Sequence, residues 1–231
     1  MKRNNRILIT GGAGFIGSHL CDALLSENNE LFVIDDLSTG YEHNISSIIN
    51  DINFFHSCIR KFKYNSLKKI DCVVHLAAQT SVPLSIENFR ESTTINLDGF
   101  INVLDFCVKD KIPLVYASSS AVYGNLPLGD DATETIDLIS PYAADKFTAE
   151  LYGKMANTIY QLSNIGLRFF NVYGERQDPS NQYSGVISVF MDSINRNKYI
   201  NNDPEITSAP STNQTSISNT VCNLINTDAN N

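Results

Sequence analysis

Tyr142-Ala143-Ala144-Asp145-Lys146 sets a phenol and an ammonium four residues apart, the spacing that brings both to one face of a helix. Three hydroxyls, Ser118, Ser119 and Ser120, close a β-branched run that begins at Leu114. A phenol titrates near 10, so a base working at neutral pH needs its phenolate favoured by about three pH units, or about 4 kcal/mol. A neighbouring ammonium has the right sign to supply part of this. Such a phenolate can take the proton of a carbinol while hydride leaves the same carbon, with a serine hydroxyl holding or relaying the proton. The set therefore points to carbinol–carbonyl redox. Spacing alone does not single it out: Tyr64 and Lys68 share it, but no hydroxyl cluster accompanies them, and that pair reads as the solvated face of a helix.

Hydride needs an acceptor, and a second motif offers a place for one. Gly11-Gly12-Ala13-Gly14-Phe15-Ile16-Gly17 is a G-x-x-G-x-x-G that follows the apolar run Ile7 to Thr10 and opens a segment of helical period. Glycines so placed let the backbone turn tightly and approach a pyrophosphate, whose charge then meets the open N–H groups of a helix N-terminus. Asp35 ends the next apolar run, 18 residues beyond Gly17, where a carboxylate takes the ribose hydroxyls of a dinucleotide. Asp35 and Asp36 would repel a 2′-phosphate and no Arg adjoins them, which favours NAD over NADP.

These residues need elements to hold them. Short β-branched runs (Ile7–Thr10, Leu31–Asp35, Asn53–His56, Cys72–Leu76, Leu114–Ser118, Leu167–Asn171) alternate with amphipathic stretches such as Phe15–Leu25, Thr94–Val108 and Tyr142–Tyr160. This βαβ rhythm predicts an α/β protein, a Rossmann-type doubly wound parallel sheet flanked by helices, with the serines at the carboxyl edge where open α/β sheets bind ligands. The chain has 231 residues and a net charge of −8, which argues against a nucleic-acid partner. Five cysteines without C-x-x-C spacing read as reduced thiols, no metal site is expected, and no apolar stretch is long enough for a membrane span or a secretion signal. The expected location is the cytoplasm. Residues 1–200 read as the NAD-binding domain with its Ser/Tyr/Lys set. Residues 201–231, rich in Asn, Ser and Thr and lacking Lys and Arg, read as a polar, disordered tail.

Taken together, the motifs resemble the extended short-chain dehydrogenase/reductases of the nucleotide-sugar epimerase and dehydratase group. The likeness rests on Thr10-Gly11-Gly12-Ala13-Gly14-Phe15-Ile16-Gly17, Asp35-Asp36-Leu37-Ser38-Thr39-Gly40, His75-Leu76-Ala77-Ala78-Gln79, Ser118-Ser119-Ser120-Ala121-Val122-Tyr123-Gly124, Tyr142 with Lys146, and Arg168-Phe169-Phe170-Asn171. Ser120 and Ala121 stand where 4,6-dehydratases carry a pair of carboxylates, which disfavours dehydration. Asn171-Val172-Tyr173-Gly174-Glu175-Arg176-Gln177-Asp178-Pro179, with Tyr183 and Val186-Ile187 beyond, is similar to the UDP-N-acetylglucosamine 4-epimerases and their uronic-acid relatives, which serve bacterial surface-polysaccharide synthesis, and the N-acetylhexosamine branch is favoured.

The resemblance implies roles. Ser119 is the catalytic hydroxyl and Tyr142 the base, while Lys146 binds the nicotinamide ribose and lowers the tyrosine pKa. Cofactor contacts are implied for Gly11, Gly14, Phe15, Ile16, Gly17, Asp35, Asp36, Ser38, Thr39, Gly40, Ile59, Leu76, Ala77, Ala78, Gln79, Asn96 and Phe170, with Tyr142 and Lys146. Substrate contacts, for a UDP-sugar, are implied for Ser81, Ser120, Asn171 and Gln177, with Ser119 and Tyr142. The sugar would be oxidised to a 4-keto intermediate and reduced on the opposite face without loss of NAD. Helices matching Thr94–Val108 and Tyr142–Tyr160 would pair in a homodimer.

Other readings stay open on the residues: a non-catalytic NAD-binding remnant, a simple alcohol dehydrogenase, or a different nucleotide-sugar epimerase or dehydratase. Two departures bear on them. Ser57-Cys58-Ile59-Arg60 lacks the Asp that would meet the adenine. From Asn202 to Gln214 no Arg appears where the family grips the nucleotide diphosphate, so the sequence reads as truncated or frame-shifted there, with most of the substrate domain missing. Asn96 could instead cap a helix, Phe170 could be core, and His75 reads as a satisfied strand-end histidine.

Overall fold

A computed structural model describes residues 4–67, 69–126 and 136–178. Lys68, Pro127, Gly129, Pro179, Tyr183, Val186-Ile187 and the segment 201–231 lie outside the described residues.

Six strands, β1 (Arg6–Thr10), β2 (Glu30–Asp35), β3 (Asn53–His56), β4 (Cys72–His75), β5 (Leu114–Ser119) and β6 (Asn164–Phe169), form one sheet in the order β3-β2-β1-β4-β5-β6. Every pairing is parallel. The order reverses between β1 and β4, which is the switch point at which doubly wound sheets open a crevice. Helix α1 (Phe15–Ser26) lies on one face; α4 (Gly99–Asp110) and α5 (Pro141–Tyr160) lie on the other, and the short α2 (Val82–Glu87) and α3 (Phe89–Thr93) lead into α4.

Strand residues alternate between two cores. Ile7, Ile9, Leu31, Val33, Val74 and Val115 pack with Leu20, Cys21 and Leu24 of α1. Leu8, Phe32, Ile34, Val73, Leu114 and Tyr116 pack with α4 and α5. Period-two alternation of apolar residues on both faces is what a sheet covered on both sides requires, and it explains why the runs read as continuously apolar. Among the described residues no helix is long and apolar enough to cross a membrane.

The structure shifts several boundaries. β4 ends at His75, β5 runs on to Ser119, and β6 starts at Asn164 and ends at Phe169, so Phe170 and Asn171 leave the sheet. The helix expected from Thr94 instead begins upstream at Phe89 and passes through a π-helical turn, Thr94–Asp98, before α4. Tyr64 corrects the solvated-face reading: it sits in a 3₁₀ turn, Tyr64–Ser66, buried among Phe62 and Phe106 with its hydroxyl donating to Ile59 O at 3.1 Å. Phe62 is local, but the stacking partner Phe106 comes from α4, so a local pattern could not announce the burial.

Candidate active site

The glycine loop joins β1 to α1, and its geometry requires glycine. Gly11 has φ +75°, and a Cβ there would lie 2.7 Å from Ala77 N; a Cβ on Gly17 would lie 2.1 Å from Gly11 O. Gly14 is the N-cap of α1 and offers no side-chain cap, so the first N–H groups of the helix stay open at the crevice. Phe15 and Ile16 begin the helix. Asp35 is buried, and its carboxylate accepts from Ala13 N and Leu37 N, both at 2.9 Å. Asp35 therefore fixes the loop's shape as well as offering its remaining lone pairs, a double role that sequence spacing did not reveal. Burial pushes its carboxyl up, and the two backbone N–H groups oppose that shift. Asp36 is exposed and accepts from Ser38 N at 3.1 Å; Ser38 and Thr39 are exposed, while Gly40 lies against Ala13 and Asp35. Ile59 is core, with its side chain against Gly99.

Across the switch point, Leu76-Ala77-Ala78-Gln79 follows β4. Thr10 anchors it: Leu76 N donates to Thr10 O at 3.0 Å and Ala77 N to Thr10 Oγ1 at 3.3 Å. The same hydroxyl is 2.7 Å from His75 Nδ1, and burial depresses the His75 pKa to about 3, so the ring is a neutral, satisfied strand-end group. Asn96, in the π turn, clamps the loop from the other side, accepting from Gln79 N at 2.8 Å and donating to Gln79 O at 3.1 Å.

Ser119, Tyr142 and Lys146 meet at the end of β5. Ser140 caps α5 by accepting from Ala143 N at 3.1 Å, and Pro141, lacking an N–H, fills the first helical position. Tyr142 and Lys146 are both buried. Lys146 Nζ donates to Ala117 O at 2.8 Å and lies 5.7 Å from the Tyr142 ring centroid. Ser119 Oγ accepts from Ala121 N at 3.1 Å and is hydrogen-bonded with the phenol. Burial holds the Tyr142 phenol above its ordinary 10, and Ser119 pulls it down. Burial also lowers the Lys146 ammonium to about 8, against the pull of Asp145. The expected drop of the phenol is thus not present in the protein alone: the opposing influence that the structure supplies is the Ser119 hydrogen bond.

Comparison with known proteins matches this architecture. Residues 7–214 fit the family described as "NAD dependent epimerase/dehydratase family". The chain belongs to that family. It is 40% identical over 200 residues to the putative UDP-glucose 4-epimerase of Methanocaldococcus jannaschii, with 83% of this chain and 64% of the relative aligned. The chain therefore spans just under two-thirds of that relative's length. Its fold superposes on the UDP-N-acetylglucosamine 4-epimerase of Methanobrevibacter ruminantium M1, solved with UDP-N-acetylmuramic acid, with a TM-score of 0.87, 34% identity, and coverage of 98% of this chain and 74% of that one. A Thermus thermophilus UDP-glucose 4-epimerase complexed with NAD superposes with a TM-score of 0.76 at 36% identity, over 84% of this chain and 64% of that one.

In this epimerase/dehydratase chain the residues expected at the substrate are more dispersed. Ser81 is the N-cap of α2, accepting from Leu84 N at 3.1 Å. Ser120 opens the 3₁₀ turn Ser120–Tyr123, and Phe170 stacks on Tyr123 with centroids 6.1 Å apart. Asn171 is exposed beyond β6. Gln177 belongs to a segment tied to the nucleotide side: Glu175 O is 2.9 Å from His19 Nε2, Arg176 pairs with Asp22 at 2.6 Å, and Tyr41 donates to Asp178 at 2.5 Å.

Sequence reasoning missed the supports of the site. Arg168 forms a two-pronged pair with Glu150, 2.8 and 2.7 Å, and its guanidinium covers the Tyr123 ring at 4.8 Å. Ser118 Oγ bonds to the same Glu150. One ion pair thereby joins β5, α5, β6 and the Ser120 turn. Glu150 lies eight residues beyond Tyr142, so the helical period carried the signal, but its partner on β6 was not readable.

Proposed function

We propose that this protein epimerises a UDP-sugar at carbon 4 in an NAD-dependent reaction, and that the sugar is of the UDP-N-acetylglucosamine/UDP-N-acetylgalactosamine type, made for surface polysaccharide. The carrying observation is the convergence of Ser119, Tyr142 and Lys146 at the same sheet edge as the glycine loop and the Thr10-anchored segment 76–79. The sugar assignment is supported by Asn171–Asp178 in the sequence and by the likeness to the Methanobrevibacter enzyme.

A dinucleotide fits the residues present. The loop admits no Cβ at Gly11 or Gly17, the open end of α1 faces the crevice, and the Asp35 carboxylate, at the end of β2, would take the adenosine ribose. NAD, when bound, supplies the hydride acceptor and a positive charge beside the phenol. Tyr142 takes the proton from the 4-hydroxyl, Ser119 holds that oxygen and the phenol together, and Lys146 orients the nicotinamide ribose from its bond to Ala117 O. Because burial lifts the phenol, the cofactor's charge adds to Ser119 in making Tyr142 a base. After the 4-keto sugar turns in the site, Tyr142 returns the proton to the 4-oxygen, and NAD, when bound, would supply the return of hydride to carbon 4.

A cytoplasmic setting for the reaction is supported by the free thiols of Cys21, Cys58 and Cys107. A homodimer through α4 and α5 is supported by the exposed Ile101, Leu151 and Ile159, and light scattering would show a mass of two chains. Purified protein, its bound nucleotide released and identified, should yield NAD, and incubation with UDP-N-acetylglucosamine should yield the galacto epimer. Bound NAD without epimer would favour a binding protein over an enzyme.

A further inference from the structure

We infer that Ser85 is a positioning residue for the base Tyr142, holding it from a separate helix. The inference rests on the proposed role of Tyr142 as the proton acceptor. α5 must place a phenol at its second residue, where backbone N–H groups have no partner within the helix. Here each such group is accounted for: Pro141 has none, Ala143 N donates to Ser140 Oγ, and Tyr142 N donates to Ser85 Oγ at 3.2 Å. Ser85 is fully buried in α2, and its hydroxyl donates in turn to Val82 O at 2.6 Å, so the oxygen that receives Tyr142 is itself fixed.

The tether belongs to a circuit through the cofactor-side loop. Ser85 N donates to Ser81 O at 3.1 Å, and Ser81 O also accepts from Gln79 Nε2 at 3.0 Å. The Gln79 backbone is clamped on both sides by Asn96, and Asn96 lies beside the carboxylate of Asp145, next to Lys146. The first turn of α5 is therefore held at Tyr142 by Ser85 of α2, and α2 and the π turn both bond to Gln79. Ser140 could cap the helix without Ser85; what Ser85 adds is a fixed origin for the turn that carries the phenol.

The test uses the full chain with bound NAD and the variants Ser85→Ala and Ser85→Thr, each checked for a cooperative thermal transition. The phenol is titrated by its phenolate absorbance, with the Tyr142→Phe spectrum subtracted to isolate it from the other tyrosines; the facing groups Ser119, Lys146 and Asp145 are the same in the wild type and in each Ser85 variant. Ser85→Ala should titrate at least about half a pH unit above the wild type, a roughly threefold loss of phenolate at a fixed pH, because the phenol leaves its place against Ser119. Ser85→Thr, which keeps the hydroxyl, should return to the wild-type midpoint. On mixing with UDP-N-acetylglucosamine, reduction of bound NAD at 340 nm should slow about tenfold in Ser85→Ala with half-saturation unchanged. A Ser85→Ala protein that titrates with the wild type overturns the proposal, whatever its melting temperature. If the wild type binds NAD but no UDP-sugar reduces it, the epimerase reading fails and the titration alone decides Ser85.

Discussion

Tyr64 and Tyr142 are both buried phenols, both pushed up by burial, and each begins a Y-x-x-x-K. They differ in what surrounds the hydroxyl. Tyr64 donates to Ile59 O, a group that can only accept, inside a cluster of aromatic rings, and that bond favours the neutral phenol. Tyr142 faces a hydroxyl on Ser119, which can donate, and an ammonium on Lys146. Burial makes a phenolate costly in both places, and only the second place holds groups able to offset the cost. The difference teaches that spacing and burial do not make a base; neighbours that prefer the charged form do.

The comparison breaks most sharply at Tyr142 itself. Tyr142→Phe should lower the rate of bound-NAD reduction by about 10³-fold, with the fold and bound cofactor retained, as single-turnover absorbance would show. Ser119→Ala should cost about 10²-fold in the same assay and shift the acid limb of the rate profile to higher pH, since Ser119 is the group that pulls the phenol down.

Lys146→Met separates function from stability. Lys146 titrates at about 8 in the folded protein against an ordinary 10.5, so between those values the unfolded chain binds more protons than the folded one. The Lys146 contribution to stability should therefore rise with pH from about 8 to 10.5, by a few kcal/mol at most, and it is read as the difference between wild type and variant in pH-dependent denaturant melts, because the raised thiols of Cys21 and Cys107 act in the opposite sense in both proteins. Tyr64→Phe should do least: an unchanged rate and a stability loss of about 1 kcal/mol, because Ile59 O keeps its bond from Asn102 Nδ2.

What could be read from the sequence follows the range over which each signal acts. The glycine loop, the strand runs and the Tyr142–Lys146 pair are local patterns, and the sheet places them as the βαβ rhythm requires. Tyr64 was misread because Phe106, its stacking partner, lies on α4. Ser85 and the Glu150–Arg168 pair stayed hidden for the same reason: a serine in an apolar stretch carries no mark until the fold brings the N-terminus of α5 against it. Asp35 was found by position, yet its grip on Ala13 N and Leu37 N needed the folded loop to be seen. The π turn that carries Asn96 spans a single turn between α3 and α4, too short for a 3.6-residue period to register, so the stretch from Thr94 read as continuous helix.

The most direct test follows the NAD-bound chain with UDP-N-acetylglucosamine, recording absorbance at 340 nm and the sugar products together. The account predicts that the galacto epimer accumulates while no net NADH is released, and that Tyr142→Phe does neither chemistry while Tyr64→Phe matches the wild type. Net NADH accumulation, or an epimer formed equally well by Tyr142→Phe, would contradict it.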